Sequence, residues 1–189
     1  MRWATVLRAA SATAAFMLAG AVASAEDFSA KFSGFQEVGG VGAGQTGAIL
    51  SPATAKLDLD LDKKTQMLTY KLTYSGFVNN VTQAHIHFGK RHVGGGIIVF
   101  LCTNLGNGPA GTPLCPATAG TVTGTLTPAS VVGPAAQGIA IGNFDGLVAA
   151  LESNTAYGNI HTTVFPVGEI RGQTRRDDDD RDGDGDHRH

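Results

Sequence analysis

Residues 57–62 read Leu-Asp-Leu-Asp-Leu-Asp, a strict two-residue alternation of apolar and charged side chains. An extended strand with one face in a core and one in water satisfies that pattern, because strand side chains point alternately to opposite faces. Leu68, Tyr70, Leu72 and Tyr74 repeat it after Lys63-Lys64-Thr65-Gln66, so the two segments predict a hairpin. Residues 28–32, 83–88, 120–127, 157–163 and 168–173 add short strands, and the unbroken apolar run Ile97–Leu101 suits a strand buried on both faces. Leu147, Val148 and Leu151 fall instead at helical spacing and predict one short helix at about 144–152. Short strands, 26 glycines and a single helix predict an all-β fold, an antiparallel sandwich or barrel with Greek-key connections.

The ends of the chain differ from this body. Arg2 and Arg8 precede the apolar run Ala9–Ala21, and Ala23-Ser24-Ala25 is a small-x-small cleavage signal. That is the form of a signal peptide over residues 1–25, cleaved near Ala25, and it predicts a secreted or periplasmic protein with no membrane span in the mature chain. Residues 26–174 suffice for one domain with its own core and are too few for two. Residues 175–189 hold seven aspartates and almost nothing able to pack, so a disordered acidic tail is expected. Asp178, Asp180 and Asp182 with Gly183 fit the first half of a calcium loop, but His189 stands where a bidentate Glu belongs. The formal charge is only −2, and no basic stripe appears, which argues against a nucleic-acid partner. Cys102 and Cys115 are the only cysteines, and in an oxidising compartment they predict a disulfide.

Four histidines lie outside the last three residues, and three of them fall in two strand-like stretches. In Gln83–Gly89, Ala84, Ile86 and Phe88 point one way, so His85 and His87 point the other. In Tyr157–Thr163, Asn159, His161 and Thr163 point away from Ile160 and Thr162. Residues i and i+2 on one strand lie roughly 6.5–7 Å apart, close enough for two imidazoles to lean onto one ion. If the strands are neighbours, His85, His87 and His161 form a metal site, with His92 of the glycine loop Gly89–Gly96 as a fourth ligand. Such a nitrogen set suits copper or zinc. Glu169 and Arg171 share a non-core face and are placed to fix an imidazole tautomer or attract an anion. The rival reading makes the same residues a hydrogen-bonded network that holds the strands in register. Nucleophile-elbow, phosphate-loop and zinc-protease motifs are absent from the sequence, so the reading leans away from an enzyme.

Three stretches together resemble the CHRD domain, the module repeated in chordin and found alone in bacterial secreted proteins. Phe32-Ser33-Gly34-Phe35-Gln36-Glu37-Val38 looks like its opening motif, with Gly47 following, and Ala84-His85-Ile86-His87 like its central one. Asn159-Ile160-His161-Thr162 with Pro166-Val167-Gly168-Glu169-Ile170-Arg171-Gly172-Gln173 looks like its closing signature. Gly39 and Gly40 stand where the family usually has prolines, which leaves Glu37 without an evident role. The resemblance covers about residues 28–173. It implies an immunoglobulin-like β-barrel, distantly similar to copper-zinc superoxide dismutase, and brings no settled activity. Two functions follow as expectations. One is a secreted, non-enzymatic binding or structural module for a protein or extracellular-matrix partner, carrying a histidine metal site. The other is a small copper or zinc metalloprotein of superoxide-dismutase type.

Overall fold

The computed structural model describes residues 1, 25–39 and 47–177. The strands are β1 (Glu26–Phe32), β2 (Thr54–Asp62), β3 (Met67–Ser75), β4 (Val81–Phe88) and β5 (Gly96–Thr103), then β6 (Gly120–Leu126), β7 (Ala156–Thr162), β8 (Ile170–Gln173) and β9 (Arg175–Arg176). One α-helix, α1 (Phe144–Glu152), precedes β7. All pairings are antiparallel, in a five-stranded sheet of order β6-β3-β2-β1-β9 and a four-stranded sheet of order β5-β4-β7-β8. The fold is an all-β sandwich with one short helix.

The alternation of residues 57–62 has the expected outcome. Leu57, Leu59 and Leu61 are buried directly opposite Leu72, Tyr70 and Leu68 of β3. Each such side chain contributes roughly 1.5–3 kcal/mol by leaving water. The second sheet closes the core from the other side with Ala84, Ile86, Val99, Ile160 and Ile170. Helix α1 buries Phe144, Leu147, Ala150 and Leu151, and the Asn143 side chain accepts from the Gly146 N–H to cap its first turn. Cys102 and Cys115 form a disulfide across 13 residues.

One close approach brings the sheets together near the histidines. Gly158 of β7 and Gly172 of β8 are register partners beneath the Phe32 ring, and a Cβ on Gly158 would lie 2.1 Å from that ring. A larger residue there would lift Phe32 and part the sheets.

The acidic tail expected from Arg175 is corrected at its start. Arg175 and Arg176 pair with Ser29 and Phe28 of β1, and the Asp177 N–H donates to the Asp27 carbonyl. Residues 2–24 of the signal peptide expected over 1–25, and the aspartates 178, 180 and 182 read as a partial calcium loop, lie outside the described residues.

Candidate metal centre

Strands β4 and β7 are neighbours, and this brings the three histidines together. Gln83 pairs with His161, His85 with Asn159 and His87 with Tyr157, all on the face turned away from the sandwich core. The ligand atoms of His85, His87 and His161 lie within 4.8 Å of one another. His85 and His87 have ring centroids 5.3 Å apart, closer than the ordinary i to i+2 spacing, so the rings lean inward. Register shifts on the β5 side, at Ala84/His85 and Ile86/His87, accompany this lean.

The face was expected to be an outer one. It points away from the core, yet His85 is fully buried and His87 and His161 are only 8% and 6% exposed. Loops supply the cover. Gly95 crosses so close above β4 that an added Cβ would lie 1.7 Å from the Phe88 carbonyl oxygen, so only glycine fits. From there the Gly95 carbonyl accepts the His87 Nδ1–H at 3.0 Å. On the other side the Pro166 carbonyl accepts the His161 Nδ1–H, also at 3.0 Å.

These two bonds settle the proton positions in neutral rings. With their Nδ1 atoms protonated, His87 and His161 carry lone pairs on Nε2. His161 Nε2 therefore accepts from His85 Nδ1 at 3.2 Å, which leaves His85 with a lone pair on Nε2 as well. Among the described residues, His85 Nε2 and His87 Nε2 are the buried side-chain atoms with no hydrogen-bond partner. An unmet buried acceptor costs on the order of 1–3 kcal/mol, so the folded chain holds two costly lone pairs beside a third nitrogen.

Electrostatics keep the rings in the form a metal needs. Burial pushes the His85 pKa down to about 2, with the neighbouring His161 and His87 adding to the effect. Burial likewise pushes His87 down to about 4, against the opposing Gly95 hydrogen bond, and His161 down to about 4, against that of Pro166. All three are neutral near pH 7.

The remaining expected residues divide. His92 is exposed, in a left-handed turn with φ 62°, and is not among the converging ligands. Glu169 and Arg171 are both buried on the expected face, but backbone carbonyls rather than these side chains fix the imidazole tautomers. The Glu169 carboxylate accepts from Ser51 and Thr162 hydroxyls, each at 2.6 Å. Arg171 donates to the Val93 and Lys90 carbonyls and so grips the covering loop. Its guanidinium lies 3.4 Å from the centroid of the Tyr157 ring, which stacks in turn on His87 at 4.9 Å.

Three site residues escaped the sequence reading. Tyr157 sits two positions before Asn159 in the alternation that selected His161, and that signal was available. Phe100 closes one wall of the site, edge-on to His85 at 4.4 Å, from within an apolar run that gave no hint of it. Glu37 is buried, accepting from the Asn159 side chain and from the Val38 and Gly39 N–H groups, so it anchors the opening loop.

The closing motif thus supplies one of the three converging histidines, a loop grip and a buried carboxylate, and the central motif supplies the His-x-His pair. The family model of the CHRD domain matches residues 28–174. The chain belongs to the CHRD domain family. Comparison with curated proteins and with solved structures returns no match. In this CHRD domain the three family-like stretches meet at one place: Glu37 from the first, His85 and His87 from the second, and Asn159, His161, Glu169 and Arg171 from the third. Among the described residues, no helix is long and apolar enough to cross a membrane.

Proposed function

We propose that this CHRD chain is an exported, non-enzymatic binding or structural module whose three buried imidazoles hold one copper or zinc ion. The observation that carries the metal reading is the pair of unpartnered nitrogens, His85 Nε2 and His87 Nε2, beside His161. A network serving only to pin strands would leave no buried lone pair unmet. Spacing agrees: one nitrogen from each of the three rings lies within 4.8 Å of the others, within reach of a single ion bound at about 2.0–2.1 Å after small ring movements. The donor set is all imidazole, which suits copper and zinc over harder cations.

Closure favours binding over catalysis. Structural metal sites are closed, whereas catalytic ones keep a position open to substrate. Here the covering loops leave the rings almost no accessible surface. The dismutase-type alternative rests on the coordination position that three nitrogens leave free. Export rests on the leader composition of residues 1–25 and agrees with the disulfide. The module's partner is taken to be a protein or extracellular matrix.

Thermal denaturation with and without metal tests this reading, using a His187→Ala/His189→Ala chain so that the tail histidines bind nothing. At a hundredfold excess over Kd, copper or zinc adds about 2.7 kcal/mol, a rise of roughly 5–10 °C for a chain of this size. An unchanged melting temperature with both metals overturns the metal site. Superoxide consumption by the copper-loaded chain would replace the non-enzymatic reading with the dismutase one.

A further inference from the structure

The exposed face of the five-stranded sheet sorts its charges by position. Asp27 of β1 stands directly opposite Asp60 of β2, and four residues further along Lys31 stands directly opposite Lys56. Like charges in register destabilise an antiparallel pair; an ion pair with Asp58 at 2.7 Å offsets Lys56, which leaves Lys31 as the unmatched cation of the basic pair. Asp177 strengthens the acidic end, with its carboxylate accepting from the Ser29 hydroxyl next to Asp27. Lys71 strengthens the basic end from β3, where its register partner is Asp58. The sequence has no basic run, and folding assembles this cluster from separate strands.

Two shallow concavities meet at Lys31. One is lined by Lys31, Lys56 and Lys71, by the single carboxylate of Asp58 and by the hydroxyls of Thr54, Thr73 and Ser75, so its cations outnumber its acid three to one. The other is lined by Lys31, Arg91 and Arg175 with Gln36 and Gln173. Among the described residues, Lys31 at their junction makes no side-chain hydrogen bond or ion pair.

The chain runs on from Asp177 into residues 178–189, which carry six aspartates against two arginines. Its root sits at the acidic end, where Asp27 and Asp60 repel it. The basic end lies four residues along β1, about 13 Å away, and twelve residues reach up to about 40 Å. We propose that residues 178–186 lie across the basic concavities around Lys31, making the tail an intramolecular occupant of this cationic face. Exposed charges attract weakly, but tethering gives the tail a millimolar effective concentration there. A docked tail shields the lysines from other polyanions.

Amide chemical shifts of the full chain test this, recorded with a chelator present. One variant has the aspartates at 178, 179, 180, 182, 184 and 186 changed to Asn, and a second carries Lys31→Glu/Lys56→Glu. Neutralising the tail should move the amides of Lys31, Lys56, Lys71 and Arg91. So should raising salt from about 0.01 M to about 1 M, which shortens the screening length from about 30 to about 3 Å. In the Lys31→Glu/Lys56→Glu background, neutralising the tail should no longer move Lys71 and Arg91. Shifts confined to residues 26–29 and 176–177, beside the root, would overturn the proposal.

Discussion

The two sheets turn similar alternating faces away from the core, and the two faces meet opposite fates. On the five-stranded sheet, Lys31, Lys56, Lys71 and Thr73 stand in water. On the four-stranded sheet, His85, His87, Tyr157, Asn159, His161 and Arg171 are all buried beneath loops. A polar face left to solvent needs no further partners. A polar face under cover must satisfy its donors and acceptors internally, and this one satisfies all but two nitrogens. The shortfall sits where three imidazoles converge, which makes the covered face the functional candidate.

Acid should separate the two faces most strongly. The folded chain holds His87 and His161 at about 4 and His85 at about 2, all below the ordinary 6.5. As pH falls below 6.5, the unfolded chain takes up protons that the folded chain refuses, so stability drops. The slope reaches about 1.4 kcal/mol per pH unit for each histidine and ends once its folded-state pKa is passed. Urea denaturation of the metal-free chain from about pH 7.5 to about pH 4.5 should show this loss. His87→Gln should make the slope shallower, and an unchanged slope would mean the rings are not buried as described.

Removing the grip on the covering loop comes next. Arg171→Ala leaves the Val93 and Lys90 carbonyls without their donor and uncovers the Tyr157 ring, costing about 3 kcal/mol. Hydrogen exchange should rise in residues 90–95 and stay unchanged in β2 and β3. Gly95→Ala is smaller, at about 2 kcal/mol, because the loop must lift off the Phe88 carbonyl. It should also free His87 Nδ1 from Gly95, which an imidazole nitrogen NMR spectrum reads directly. On the open face, Lys71→Ala or Thr73→Ala should change stability by no more than about 0.5 kcal/mol.

The same contrast marks what the sequence could convey. Alternation revealed β2, β3 and the histidine strands, and the spacing of Leu147 and Leu151 located α1, because each pattern is local. It also revealed which face His85 and His87 leave the core by. Alternation carries no information about loops arriving from elsewhere, so the cover over His87 and the anchoring of Glu37 were not legible. The glycine loop Gly89–Gly96 stood out in the sequence, but only the fold shows that the Gly95 carbonyl meets His87. The tautomer-fixing role expected of Glu169 or Arg171 falls to other groups for a related reason. Backbone carbonyls, which have no sequence signature, orient the imidazoles, while Arg171 reaches past them to the loop.

Metal content of the purified chain tests the central claim most directly. The His187→Ala/His189→Ala chain is loaded with copper or zinc, freed of loosely held ions by a weak chelator and assayed by elemental analysis. One equivalent should be retained, and none once His85→Ala and His87→Ala are added. No retained metal, or an equivalent that survives loss of both histidines, would contradict it.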